Sequence, residues 1–539
     1  MTGKISEKTA WAVIGLTLII LLNLALRFHL ADVPLERDEG EYAYAGWLIL
    51  QGSPPFAEAY NMKMPGIYAG YALVLKLFGS TDVGIRMGVG VLNGLTTLFL
   101  FLGFRRRFGP ETAAVAAAFF SVLSLSAAMQ GIMANSEHFV LFFFSAALWA
   151  LPWAVGAGTA APAFLSGLLF GLAFMMKQHA VFFILFGGLN LLYSAWGRSR
   201  RFGFLARRLG LFTLGVFLPF ILACFYLRAA GVFDRFWFWT FDYAGEYVAL
   251  TPVWSGLKSL LRRMRDMALD FPLVLLGGAW GLVTARRMGL SRDNLFFLYS
   301  LVFFSVAAFC PGLYFRPHYF LLAAPALGLG AALALENLVA KRSARLGPAA
   351  RAGLLAGLFL VAASFQFAAK RDLYFNSSPD QVSRKIYGPF EPFPEARRAA
   401  LFIRDHSRPG DLVAVLGSEP QIYFYSERRS AVGYMYHYPL IENHEFARSM
   451  ERDLIAQVEA ARPEYLVFVN FPDLWPLPRM AGMMKWMEDF LAADYVRVGV
   501  IDSPCQDAGA VEATPVWGGK ALGYVPKSSC WLMVYRKRA

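Results

Sequence analysis

A chain of 539 residues is too long for one ordinary domain, and its composition is lopsided: 57% hydrophobic, 17% charged, with 49 phenylalanines. Soluble domains carry nearer a quarter charged residues, so a wholly soluble protein is excluded. The net charge of +13 does not point to nucleic acid, because most Lys and Arg sit in short tracts between apolar runs, the pattern by which a membrane protein fixes its topology.

From Trp11 to Ala369 the chain is mostly apolar runs, and from Lys370 onward it reads as soluble protein. A spanning helix needs about 20 mainly apolar residues. About eleven runs meet or approach that: 11–30, 84–104, 112–129, 137–155, 161–176, 179–196, 209–227, 271–285, 294–311, 318–338 and 352–369. The first is long and no small-x-small site follows it, so it reads as a span and not a signal peptide. With the N-terminus (Lys4, Lys8) in the cytoplasm, Arg105, Arg106 and Arg107, the tract 198–208, Arg286, Arg287 and Arg292, and the tract 341–351 all fall on the cytoplasmic side. This agrees with the positive-inside rule. The same parity puts 31–83, 130–136, 228–270 and the tail from 370 outside, and it requires an odd number of spans. The expected architecture is an all-α polytopic core over 1–369 and a soluble α/β domain over 370–539.

Segment 31–83 opens with Asp32, Glu36, Asp38, Glu39 and Glu41. Tyr44, Trp47, Leu48 and Leu50 then suit an amphipathic helix at the membrane interface. After the Gly52–Pro55 turn and Lys63, the stretch 67–78 predicts a second interfacial helix. Segment 228–270 carries an aromatic belt, 233–239, and a basic tract, 258–265. It reads as a loop anchored at the headgroups, with a lid or lipid-entry rim as the alternative. In the tail, strands are expected at 412–416, 465–469, 496–501 and 532–535, with helices at 446–461 and 485–493, the rhythm of a small layered domain. The loop from Leu416 to Pro420 lacks a dinucleotide glycine fingerprint.

Cys224 and Cys310 read as core residues. Cys505 and Cys530 fall in the external tail, where disulfides persist. A bridge would close a loop of about 25 residues and contribute roughly 3 kcal/mol; two free thiols are the alternative. No Cys/His zinc spacing occurs.

Asp38 and Glu39 lie just past the first span, beside a membrane-hugging segment that also holds Lys63. Ordinary loop charge is one reading. The other is chemical: a carboxylate can take a proton from an acceptor hydroxyl, and a cation can hold the phosphate of a lipid-linked donor.

Asp38-Glu39-Gly40-Glu41-Tyr42-Ala43 resembles the Asp-Glu…Tyr-Ala motif of GT-C glycosyltransferases of the protein O-mannosyltransferase and aminoarabinose-transferase type, which use polyprenyl-phosphate sugar donors. Lys63-Met64-Pro65-Gly66 resembles that family's Lys-Pro-Pro element, departing from it by Met64 and Gly66. Asn135-Ser136-Glu137-His138-Phe139 resembles its Asn-Thr-Glu-Pro-Phe element. Arg316-Pro317-His318-Tyr319, with Pro325 beyond, resembles its His-Tyr…Pro element. The likeness covers roughly residues 10–370 in conserved order; the tail resembles, more loosely, the periplasmic domains of bacterial members.

The resemblance implies a membrane glycosyltransferase with Asp38 as catalytic carboxylate and Glu39 as its neighbour. Lys63 would bind the donor phosphate, with Arg316 and Lys177 as further candidates. Tyr42, Glu137, His138, His179, His318 and Tyr319 would line the cavity. Arg86, costly inside a span, needs a partner, and Asp38 or Glu39 is expected. Each has a plainer reading: Glu137 as a helix cap, His138 as an interfacial polar residue, Arg316 as a snorkelling side chain, Arg86 as structural. The implied donor is a polyprenyl (undecaprenyl) phosphate sugar. The acceptor is a lipid, lipid-linked glycan or protein, and the location is the periplasmic face of a bacterial inner membrane. No cofactor and no essential metal are expected, since a monophosphate donor has no diphosphate to chelate. A transporter or flippase, and a non-catalytic scaffold, are the competing classes.

Overall fold

In the computed structural model the described residues are 7–155, 161–340, 346–471, 475, 480–503, 505 and 513–538. Lys4 and residues 341–345, which entered the topology argument, lie outside them.

Helix α1 (Glu7–His29) is followed by α2 (Arg37–Leu50) and α3 (Pro65–Phe78) in the first loop segment. Then come α4 (Asp82–Phe108), α5 (Pro110–Leu123), α6 (Ser136–Ala154), α7 (Ala161–Met176), α8 (Val181–Arg198) and α9 (Phe202–Ala229). The short α10 (Phe233–Trp237) and α11 (Ala244–Ala249) lead to α12 (Val253–Asp270), α13 (Pro272–Thr284), α14 (Arg292–Phe309), α15 (Ala324–Ala340) and α16 (Pro348–Ala369). Every one of the expected apolar runs overlaps a helix. Eight helices among the described residues are long and apolar enough to cross a membrane, while α5 and α7 are shorter, and α12 and α13 form a pair bent by 106°. The chain is a multi-pass membrane protein.

The shortfall at α5 has a physical cause. The run predicted over 112–129 leaves the helix at Leu123 because Arg27 of α1 collects the carbonyls beyond it: Ser124 (2.6 Å), Gly131 (3.0 Å) and Ile132 (3.3 Å). Irregular backbone at membrane depth is tolerated where protein satisfies it. At another contact, Gly167 and Gly171 of α7 meet Phe212 and Val216 of α9 so closely that a Cβ would lie 2.0 and 2.3 Å from their carbonyl oxygens. Small residues four apart are how apolar helices pack in lipid.

The tail opens with α17 (Pro379–Tyr387) and α18 (Phe393–His406), then strand β1 (Val413–Leu416) and the short α19 (Gln421–Ser426) and α20 (Tyr438–Ile441). Next are α21 (Ala447–Ala461), β2 (Tyr465–Asn470), α22 (Ala481–Asp494), β3 (Tyr495–Ser503), β4 (Thr514–Trp517) and β5 (Cys530–Lys537). The strand order is β1-β2-β5-β3-β4, parallel for β1 and β2 and antiparallel elsewhere. All four expected strands are present. The short β4 was not foreseen; it pairs at the edge of β3 and is half exposed, so it shows little apolar alternation. Cys505 and Cys530 are bridged, with Cα atoms 5.9 Å apart.

Helix α2 is not spread on a bilayer surface as its pattern suggests. Nine of its 14 residues are buried, with the tail packed over it. A Cβ on Gly40 would lie 2.6 Å from the Gln421 Cβ. The Ser430 amide donates to the Tyr44 hydroxyl (2.7 Å), the Leu35 amide to the Tyr425 hydroxyl (2.8 Å), and the Tyr60 amide to the Gly433 carbonyl (3.0 Å).

Candidate active site

The site begins with how α2 starts. Glu36 and Glu39 form a reciprocal capping box: the Glu39 amide donates to Glu36 (3.0 Å) and the Glu36 amide to Glu39 (3.1 Å). Glu39 also takes Arg86 of α4 (2.9 Å) and the Ala134 amide (2.5 Å). Both its oxygens are occupied and it is wholly buried. Of the two partners expected for Arg86, the structure pairs it with Glu39. Glu39 thus pins the first turn of α2 to α4 and to the loop before α6, and so fixes the residue before it.

That residue, Asp38, points the other way. Its Oδ1 accepts from Lys63 Nζ (3.1 Å) and from the Tyr436 hydroxyl (2.9 Å). Its Oδ2 has no hydrogen-bond donor among the described residues. Asp38 and Lys63 keep 19% and 21% of their side chains exposed, so the pair faces a space and not the core. Burial pushes the Asp38 carboxyl up, but Lys63, His318, Lys177 and the Tyr436 hydroxyl together hold it well below the usual carboxylate range. Burial likewise works against the Lys63 cation, and Asp38 and Tyr42 outweigh it, raising the ammonium. Lys63 is set by the Pro65 that starts α3 and lies 5.4 Å from the Tyr42 ring centroid.

A second ion pair stands beside the first. Lys177, between α7 and α8, binds Glu137 at the start of α6 (2.5 Å) and lies 4.3 Å from the Tyr319 ring centroid. Tyr319 packs edge-on against His179 (4.8 Å) and His318 (4.9 Å), and His318 Nδ1 meets Gln130 Oε1 at 3.1 Å. Lys177 and His318 act electrostatically on both Asp38 and Glu137, which makes the two pairs one cluster.

Arg316 sits on a turn in which Gly312 (φ 70°), Leu313 (φ 54°) and Phe315 (φ 45°) all have left-handed backbone. For Leu and Phe this is strained, and such strain gathers at functional sites. Arg316 is exposed, 5.6 Å from the Tyr314 ring centroid, and no ion pair engages it among the described residues. His138 is placed elsewhere. It is turned into the contact with α4, where its Nδ1 meets Asn93 Nδ2 at 3.1 Å, because one step along α6 from Glu137 rotates the side chain by about 100°.

Two participants escaped the sequence. Tyr436 lies 398 residues from Asp38, in a loop with no motif. Glu41 binds the Tyr68 hydroxyl (2.5 Å) and Asn61 (2.9 Å), bracing the loop that carries Lys63; its place one turn from Asp38 was the available signal. Among the described residues no three His, Cys, Asp or Glu side chains converge as metal ligands. Apolar clefts of about 270 and 590 Å³ lie between α1, α5 and α16, and none of the site residues lines them.

Residues 63–223 match the family described as dolichyl-phosphate-mannose-protein mannosyltransferase. The chain is 30% identical over 324 residues to the undecaprenyl phosphate-alpha-4-amino-4-deoxy-L-arabinose arabinosyl transferase of Pseudomonas aeruginosa (strain UCBPP-PA14). It is 28% identical over 323 residues to that of Pseudomonas paraeruginosa (strain DSM 24068 / PA7). Each alignment covers 54% of this chain and 57% of the relative, so the chain matches little more than half the length of these proteins. Among solved structures, ArnT from Cupriavidus metallidurans bound to undecaprenyl phosphate superposes with TM-score 0.56 at 17% identity, covering 87% of this chain and 94% of that one. The archaeal oligosaccharyltransferase AglB from Archaeoglobus fulgidus, in complex with an inhibitory peptide and a dolichol-phosphate, gives 0.53 at 13% identity, covering 96% and 75%. The chain shares the fold of these two structures.

Proposed function

We propose that this chain is a membrane glycosyltransferase that moves a sugar from a polyprenyl-phosphate donor, undecaprenyl phosphate by likeness to its relatives, to a lipid, lipid-linked glycan or protein acceptor. The observation that carries the reading is Asp38: an ionised carboxylate with one oxygen held by Lys63 and Tyr436 and the other open, beside a second lysine and an arginine, Arg316, that no ion pair engages among the described residues. The open oxygen takes the proton of the acceptor nucleophile as it attacks the anomeric carbon. The bond from that carbon to the phosphate oxygen breaks, and the polyprenyl phosphate leaves with the electron pair. A single displacement of this kind inverts the anomeric centre. Lys63, Lys177 and Arg316 hold the phosphate and spread its charge.

In this reading residues 1–369 form the catalytic membrane domain and 370–539 a periplasmic domain, the N-terminus is cytoplasmic, and the membrane is a bacterial inner membrane. A transporter is not favoured, since transporters keep their ionisable groups near the midplane of broken helices. Here the charged groups gather where α2, α6 and the tail meet.

The test is transfer of radiolabelled sugar from polyprenyl-phosphate donors to a membrane extract of the source cell. Wild type transfers label. Asp38→Asn, with the same shape and no basic oxygen, loses roughly a hundredfold to ten-thousandfold of the rate, the range of general-base contributions. An Asp38→Asn protein of wild-type activity overturns the assignment.

A further inference from the structure

Helix α12 leaves much of its apolar side exposed. On a wheel of 100° per residue it divides into three sectors. Gly256, Met267 and Asp270 face inward and are buried. A Cβ on Gly256 would meet the Leu313 Cβ at 2.7 Å, and Asp270 accepts from the Ser126 hydroxyl at 2.6 Å, so this edge is locked to the end of the bundle. Val253, Trp254, Leu257, Leu261 and Met264 fill the next sector of about 100° on that wheel. They lie bare: Val253, Trp254 and Leu261 are exposed by 76%, 65% and 62%.

Beyond the apolar sector stand Lys258, Arg262 and Arg265, all exposed, with the exposed Leu269 among them at the end of the helix. Arg265 shares Asp266 at 3.2 Å, Lys258 leans on Trp254 (5.8 Å to the ring centroid), and no ion pair engages Arg262 among the described residues. The chain then turns by 106° at Phe271 and enters the apolar α13. A helix set across a membrane-entering helix, with a bare apolar sector next to a basic one, has the form of an interfacial helix, and Trp favours that depth.

We propose that α12 is a docking helix for an anionic phospholipid leaflet: its apolar sector seats in the acyl boundary, and Lys258, Arg262 and Arg265 engage the headgroup phosphates. Charge complementarity selects the occupant, since a basic stripe flanking a sunken apolar face meets phosphates at the bilayer surface and nowhere else along the helix. The contact of Gly256 with Leu313 seats the docked helix directly on the turn that carries Arg316. Lipid bound there steadies that turn.

The test needs no sugar donor and is independent of the transferase reading. Full-length protein is equilibrated with mixed phosphatidylglycerol and phosphatidylcholine, stripped of bulk lipid, and the retained lipid is identified by native mass spectrometry. Wild type retains phosphatidylglycerol in excess. Lys258→Gln/Arg262→Gln/Arg265→Gln lowers that enrichment by about fivefold per charge, the value of one basic residue at an anionic surface. Leu261→Glu, which charges the apolar sector of an already exposed position, lowers it as well. Unchanged enrichment in the triple variant overturns the proposal. So does a loss seen only when Arg286 and Arg287 are replaced, or full retention by Leu261→Glu.

Discussion

At the scale of single residues, the site rests on which oxygen of Asp38 is spoken for. Lys63 and Tyr436 share Oδ1, and both favour the ionised form. Removing the tyrosine hydroxyl leaves the ion pair but takes away one charge-assisted hydrogen bond, worth about 1.5–3 kcal/mol. The sign follows: with a donor lost, the Asp38 pKa rises, and a base that must be ionised is lost at a higher pH. Tyr436→Phe is therefore expected to shift the acid limb of the kcat profile upward by about one unit, since one unit is 1.36 kcal/mol. The KM for the donor should stay near wild type, because the substitution removes no cation. An unmoved limb with reduced protein yield would make Tyr436 a packing residue only. Lys63→Gln differs in kind: in the proposed mechanism it removes a phosphate ligand as well, so KM should rise while kcat falls. Asp38, Lys63 and Glu137 were legible as types at the right end of their helices. Tyr436 was not, because a contact made across nearly the whole chain leaves no periodicity or spacing behind.

At the scale of elements, α2 shows how much of a site is its support. The neighbouring carboxylates Asp38 and Glu39 look alike in sequence, yet the helix turns one into the cluster and the other into the joint with α4. An isolated charge deep in protein is costly, so a buried Arg86 with no carboxylate is a severe loss. Glu39→Gln is expected to destabilise the chain by about 3–5 kcal/mol, the usual penalty for breaking a buried pair. The measurement is a thermal shift of purified protein in detergent. Glu39→Gln with wild-type melting but no activity would return Glu39 to a chemical role. The apolar runs foretold the membrane helices well, since twenty residues without charge admit few other fates. They overshot at α5, where Arg27 and its cage of carbonyls end the helix for reasons that lie in another element. They also left α2 at a membrane surface, because a helix covered by a distant part of the chain and a helix resting on lipid need similar apolar faces.

At the scale of the whole molecule, the question is what the tail does for a membrane site. It supplies Tyr436 and it clamps the segment that bears Asp38. The principal clamp is Arg37, adjacent to Asp38, which donates to the Ser418 carbonyl (2.6 Å) and pairs with Glu391 (2.9 Å) and Glu419 (3.2 Å). Its guanidinium also lies between the rings of Phe393 and Tyr438. Glu419 is fully buried, so Arg37→Ala strands a charge at the seam between the tail and the helices before it. The membrane helices do not need this contact to pack; the tail needs it to sit. Arg37→Ala is therefore expected to leave the membrane core assembled, raise protease cleavage between 369 and 436, and depress transfer by tenfold or more as Tyr436 withdraws, a loss of about 1.4 kcal/mol in the rate. Arg536→Ala serves as the counterpart. Its pair with Glu464 (2.9 Å) is half exposed and remote from the seam, and exposed pairs contribute about 0–1 kcal/mol, so cleavage and transfer should match wild type. If Arg37→Ala frees the tail and transfer persists, the tail is a lid over the site and Asp38 works without it; if cleavage rises and transfer falls together, the tail is part of the active site.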